Sequence, residues 1–184
     1  MGAATMYFGI KFETDTEELY HQVHFEQKFP EIESRSMFVS LSAVGDYERA
    51  PPGYRAVTIS THVRTEDFTM DRKSGEYKDY KQRIEDILIG KFNDAFHHYG
   101  IADIKEIHTG TPLTFERFTG RHRGSVGGIP WKAWQPIWKR IGSRLPLDNM
   151  FLVGDTALPG QGLAGVSLSA IHFSNTYTDR TKGC

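Results

Sequence analysis

The chain has 184 residues, 39% of them hydrophobic and 24% charged, with a formal net charge of −1. That length suits one large domain or one and a half small ones around a buried core, and the composition excludes a disordered chain. Basic and acidic residues are interleaved, so no field of one sign is expected, and neither nucleic acid nor an acidic membrane is expected as a general partner. The only cysteine, Cys184, rules out a disulfide framework within one chain and points to a reducing, cytoplasmic setting. The first residues lack the basic flank and apolar segment of a signal peptide. Met6 breaks the myristoylation pattern that opens at Gly2, and no run reaches the ~20 apolar residues of a spanning helix.

In chain order, residues 6–12 (MYFGIKF) are aromatic and β-branched enough to form a strand, and 21–25 (HQVHF) alternate as a second. Residues 37–44 (MFVSLSAV) predict a third strand, and 50–53 (APPG) a turn, because Pro-Pro and Pro-Gly interrupt regular structure. Over 55–63, Ala56, Thr58, Ser60 and His62 alternate with Val57, Ile59, Thr61 and Val63, the clearest strand pattern in the chain. Two such strands joined by a polar, proline-bearing loop predict an antiparallel pair. Tyr77, Tyr80, Ile84, Ile87, Leu88, Phe92, Ala95, Phe96 and Tyr99 recur at three- and four-residue steps, so 76–99 is expected to be a helix with one apolar face, ended by Gly100. A short strand over 101–108 follows, then a helix opened by Thr111-Pro112. A loop over 121–130 carries Gly124, Gly127 and Gly128. A final strand over 150–153 leads into a last helix over 163–177.

The segment between that last strand and helix, 151–165 (FLVGDTALPGQGLAG), concentrates the chemistry. Gly160, Gly162 and Gly165 spell G-x-G-x-x-G, and the amides and dipole of a helix start attract phosphate. A dinucleotide fingerprint also needs a following strand and an acidic residue ~20 positions on, and the chain ends too soon for either. The motif therefore fits one wall of a cofactor site rather than a complete dinucleotide domain. A carboxylate at Asp155 is repelled by a pyrophosphate and suits neutral hydroxyls, such as those of a sugar-alcohol chain. Glycine at 160 and 162 permits close backbone approach, and Pro159 stiffens the turn. The competing reading is a helix start that needs small residues only for packing. Spacing does not choose between the two.

Other clusters are read more plainly. His97 and His98 are adjacent on the long helix and point to different faces, whereas a helical metal pair needs i, i+4 spacing, so no metal site is expected. Arg117, Arg121, His122 and Arg123 form a basic cluster that suits a phosphate, or equally a solvated loop balanced by Glu116. Trp131, Trp134 and Trp138, with Lys132 and Lys139, form either a stripe packed on the sheet or a surface for a bilayer interface. No Ser-His-Asp or Cys-His arrangement is present, and no catalytic residue is assigned.

Residues 154–166 (GDTALPGQGLAGV) resemble the carboxy-terminal flavin motif of the FAD-dependent carotenoid desaturase and carotenoid isomerase family, phytoene dehydrogenase-like members of the amine-oxidase-like flavoproteins. Residues 111–128 (TPLTFERFTGRHRGSVGG) and 41–61 (LSAVGDYERAPPGYRAVTIST) resemble the same family, in its order. The resemblance implies an α/β (α+β) fold, with an antiparallel or mixed sheet and covering helices forming half of a substrate domain over 1–145. Residues 146–184 would then be the terminal strand–helix unit of an FAD-binding, Rossmann-like domain. It implies FAD as cofactor, with Asp155 at the ribityl chain and Gly160, Gln161, Gly162 and Leu163 facing pyrophosphate and ring. Gly154 and Pro159 complete that turn. Gly124, Gly127 and Trp131 would lie along a substrate channel. The substrate implied is an apolar polyene drawn from a membrane, which gives the tryptophans a role in peripheral membrane contact. The family's amino-terminal dinucleotide-binding unit has no counterpart here. The resemblance therefore implies a carboxy-terminal fragment that binds FAD weakly or not at all alone and is completed by an amino-terminal half or partner subunit. Two other readings stay open: a non-catalytic interaction module or gene remnant, and a fragment of an amine-oxidizing flavoenzyme.

Overall fold

The structure, a computed structural model, describes residues 1–128, 134, 136, 139, 141–147 and 150–181. Two compact units divide the chain, Met1–Ser125 and Val126–Cys184.

The first unit is a five-stranded antiparallel sheet with one face covered. Its strands are β1 (Gly2–Phe12), β2 (Tyr20–His24), β3 (Ser36–Leu41), β4 (Arg55–Val63) and β5 (Ile101–Gly110), in the order β2-β3-β4-β1-β5. The predicted antiparallel pairing of β3 with β4 is present, with Val39 opposite Ile59. The period-2 pattern of β4 decides which face is covered: Val57, Ile59 and Val63 are buried, while Ala56, Thr58 and Ser60 lie half-buried on the other face. On β1 the same alternation buries Ala4, Met6, Phe8 and Ile10 and leaves Tyr7 exposed.

Helix α1 (Gly75–Phe96) lies on the covered face. The Ser74 side chain accepts a hydrogen bond from the Tyr77 amide at 3.1 Å and caps its start. Ile84, Leu88, Phe92 and Phe96, four residues apart, are all buried. Phe8 meets Phe92 edge-on at 5.1 Å, and Phe92 stacks on Phe96 at 4.4 Å. Burying each such side chain is worth about 1.5–3 kcal/mol. Gly100, at φ 67°, turns the chain into β5. Helix α2 (Pro112–Thr119) opens with proline at its first position, as its sequence predicts, and closes at Gly120 in the left-handed region. The buried hydroxyls of Tyr77 and Thr111 lie 2.8 Å apart and tie the start of α2 to α1.

The described residues of the second unit include one long helix, α3 (Leu163–Thr181). The strand expected over 150–153 is reduced to an isolated bridge between Arg144 and Phe151, flanked by hydrogen bonds from Leu152 N to Ser143 O and from Leu145 N to Met150 O. No parallel sheet accompanies it among the described residues, so the Rossmann-like unit expected here is not seen: a parallel strand–helix unit needs neighbouring strands to pair with. Phe151 packs edge-on against Phe173 at 5.1 Å, and with Tyr177 they form a small aromatic cluster against α3. Among the described residues no helix is long and apolar enough to cross a membrane.

Candidate functional site

The sheet face opposite α1 carries a groove of about 510 Å³. Tyr7 and Gly9 of β1 and Ala56 and Thr58 of β4 line it, with Ala50 and Pro51 from the loop that joins β3 to β4. Small residues on β4 leave room where large ones would fill the face, and the proline-bearing loop supplies one wall. A second cavity of about 360 Å³ adjoins it, sharing Arg49, Ala56 and Thr58 and reaching Tyr20 and Leu41. Across five strands such a face spans roughly 19 Å. The first groove is lined mainly by apolar and aromatic groups with few polar ones, the usual make-up of a small-molecule site.

The polar groups gather at the β5 end. A bulge there opposes Tyr7 to His108 but Gly9 to Lys105, and Glu106 adopts φ 58° at the irregularity. Such bulges redirect side chains, and this one brings Lys105 and Glu106 to the groove wall. Tyr54 Oη donates to Asp103 Oδ2 at 2.5 Å, and Lys105 Nζ lies 3.3 Å from Asp103 and 4.7 Å over the Tyr54 ring. The Tyr54 hydroxyl, followed by Lys105, holds the Asp103 carboxyl below the usual carboxylate range. Hydrogen bonding with Tyr54, then with Asp103, raises Lys105. Both groups are therefore charged at neutral pH, and the cluster is a fixed polar end to an apolar trough.

In the second unit the turn before α3 has the backbone its glycines predict. Gly154, Gly160 and Gly162 have φ of 124°, 121° and 88°, which favour glycine. The Gly154 amide donates to the buried Ser169 side chain at 3.2 Å, tying the turn to the second turn of α3. The first helical bond runs from Val166 N to Gly162 O, so the amides of Leu163, Ala164 and Gly165 precede the i to i−4 ladder. A Cβ on Gly165 would lie 2.4 Å from Gly160 O, so the turn presses directly on the first helical turn. Gly154 and Gly162 are different: nothing lies within 4 Å of where their Cβ atoms would be. Asp155 is half-buried, Leu163 is 85% exposed, and Pro159 follows Leu158 through a cis peptide.

Several residues singled out from the sequence come together here. A Cβ on Gly127 would meet Gln161 Oε1 at 1.8 Å, and one on Gly128 would meet Asp155 O at 2.6 Å. The Gly127-Gly128 loop therefore packs on the acidic turn. Gly124 belongs to the first unit, where its φ of 58° and a Pro112 O only 1.9 Å from a Cβ position give it a packing reason for being glycine. Trp131 and Trp138 lie outside the described residues, and Trp134 is 77% exposed. The groove on the sheet escaped sequence reasoning, although the small residues alternating along β4 were its signal. The basic cluster of Arg117, Arg121, His122 and Arg123 divides: the Arg123 amide donates to Glu116 Oε1 at 2.8 Å, whereas Arg117 turns toward α1. Among the described residues no group of three His, Cys, Asp or Glu is placed to hold a metal.

The donor set of the turn fits a flavin dinucleotide in kind. Backbone amides at a helix start suit diphosphate, the open space beside Gly162 allows close approach, and a carboxylate suits polyol hydroxyls.

No family model matches the chain. Similarity to individual proteins is distant but extensive. Prolycopene isomerase 2 of an Oncidium hybrid cultivar is 29% identical over 145 residues, 77% of this chain and 24% of that protein. The prolycopene isomerase of Arabidopsis thaliana is 25% identical over 173 residues, 91% of this chain and 28% of that protein. The 4,4'-diaponeurosporene oxygenase of Staphylococcus haemolyticus is 26% identical over 168 residues, 86% of this chain and 30% of that protein. The chain thus spans roughly a quarter to a third of the length of these relatives. The likeness supports a distant relation to proteins of the carotenoid isomerase and desaturase type.

Proposed function

We propose that this chain supplies the carboxy-terminal part of an FAD-dependent oxidoreductase that acts on a long apolar polyene, by desaturation or cis–trans isomerization. The observation that carries the reading is the reach of the similarity to prolycopene isomerases, which takes in 91% of the chain and therefore both units. Each unit contributes a feature of the right chemistry. The groove on the open sheet face offers apolar surface to a polyene, with Tyr7, Ala50, Pro51 and Ala56 excluding water from it. The turn before α3 offers the amides of Leu163, Ala164 and Gly165 to phosphate and the Asp155 carboxylate to polyol hydroxyls. The chemistry a flavin would supply when bound is acceptance of a hydride from a substrate C–H bond, the adjacent carbon losing a proton to solvent as the C–C bond becomes C=C. The chain's own share is to hold and orient, which requires no acid–base pair.

Flavin binding tests the reading. Titration of FAD into the purified chain, alone and with the amino-terminal part of a relative supplied in trans, is expected to give saturable binding in the second case. Asp155→Ala weakens it by about tenfold, the loss of one or two good hydrogen bonds. No flavin uptake in either arrangement overturns the proposal.

A second reading, a module that binds without catalysis, is favoured by one observation. Helix α3 leaves Leu163, Leu168 and Ile171 exposed, an apolar strip that suits association. Light scattering that shows a strict monomer at all concentrations removes it.

A further inference from the structure

A third cavity, of about 520 Å³, opens between α1 and α2 in the first unit. Arg72, Lys73, Lys78, Lys81 and Arg117 line it, and no acidic side chain does. The chain as a whole has 22 basic and 23 acidic residues, so this concentration is a product of folding rather than composition. Lys78 and Lys81, three apart, share the helix face that carries Tyr77. Glu76 and Asp79 are not among the lining residues, and Glu85, one turn further, accepts a hydrogen bond from the Thr109 hydroxyl at 2.5 Å. None of the five cations forms an ion pair with Asp or Glu among the described residues.

Their position works against internal stability. Arg72, Lys73 and Lys78 surround the amino-terminal turn of α1, where the helix dipole is positive and added cations are unfavourable. An outside anion relieves both that conflict and the mutual repulsion. At the rim stands Phe118, 74% exposed, with the Arg117 guanidinium 5.2 Å from its ring centre. An exposed ring set among cations has the chemistry of a bilayer interface: the ring enters the boundary between headgroups and chains while the cations meet phosphate.

We infer that this groove, with Phe118 at its rim, seats the protein on an anionic lipid surface. The inference is independent of the flavin reading, since every residue in it belongs to the first unit and none to the turn before α3. It places a membrane contact at α1 and α2. A compact basic groove whose single exposed ring is Phe118, Tyr77 being buried, suits a headgroup layer better than a nucleic-acid strand, which is held along an extended charged track with successive stacking rings.

The test is co-sedimentation of the full chain with vesicles of phosphatidylcholine alone and of phosphatidylcholine mixed with phosphatidylglycerol. Binding is expected to the mixed vesicles only and to fall as salt shortens the screening length. Lys78→Glu/Lys81→Glu lowers the partition coefficient by at least about tenfold, each cation near such a surface contributing roughly a fivefold factor. Phe118→Ser, which leaves the charges intact, weakens binding at every salt concentration. Lys11→Glu/Lys28→Glu, an equal charge change outside the groove, leaves the preference for anionic vesicles in place. Equal losses in the two charge-reversed variants, equal binding to neutral vesicles, or capture of inorganic phosphate or single-stranded RNA without vesicle binding each overturn the inference.

Discussion

From Met1 to Ser125 the chain buries Ile84, Leu88, Phe92 and Phe96 of α1 beneath a five-stranded sheet, whereas α3 in the unit from Val126 to Cys184 leaves Leu168 and Ile171 exposed. The first unit is held by a continuous hydrophobic core. Among the described residues, the second is held by an aromatic cluster around Phe151, a hydrogen bond from Gly154 to Ser169, and glycine positions where backbone presses on backbone. Core burial grows with the number of side chains enclosed, so it supports a scaffold rigid enough to shape grooves on its free surfaces. Close backbone packing places a turn accurately but gathers little apolar area. The two chemistries of this chain therefore rest on different physical supports and should fail in different ways.

The largest expected effect comes from Phe92→Ala. Phe92 is fully buried between Phe8 and Phe96, and its truncation should cost about 3–5 kcal/mol of unfolding free energy. Denaturant titration followed by far-UV circular dichroism measures this. Tryptophan emission, whose three reporters all fall within Val126–Cys184, should keep its midpoint. A joint shift of both signals would show that one core serves the whole chain. Next is Gly124→Ala, which combines a φ of 58° with a methyl placed 1.9 Å from Pro112 O and should cost about 1–3 kcal/mol by the same measurement. If it costs nothing, the approach of that loop to α2 is not a structural constraint and its glycine needs another explanation.

The smallest effect sharpens the picture of the groove. Because the folded Asp103 titrates below its ordinary value, chiefly through the Tyr54 hydroxyl, its contribution is present above that ordinary value and is lost as pH falls through the folded one. In Tyr54→Phe the Asp103 midpoint, read by carboxyl-carbon NMR, should move up toward the ordinary range. An unmoved midpoint would show that Lys105 alone holds the carboxylate, and that the polar end of the groove is not built by Tyr54.

Much of the first unit is legible in the sequence. The β4 strand, the Thr-Pro start of α2 and the apolar face of α1 are local patterns whose periods match their elements. The boundaries of α1 shift only because 97–99 tighten into a 3-10 turn before Gly100. The turn around Gly160 and Gly162 is legible for the same local reason, since positive φ selects glycine. The strand expected over 150–153 was not decided locally, because an apolar run of four residues becomes a strand only when a neighbour supplies its hydrogen bonds.

Local pattern therefore settles what is periodic or conformational: the helices and most strands of the first unit, its apolar sheet face, and where the backbone turns through positive φ. Tertiary structure alone decided what distant residues make together. The groove under Ala50 and Pro51 needs β1, β4 and β5 side by side, and the basic cavity needs Arg117 of α2 brought to Lys78 and Lys81 of α1. Charge averaged along a chain near neutrality hides such a cluster, because electrostatic potential depends on separation in space and not on separation in sequence.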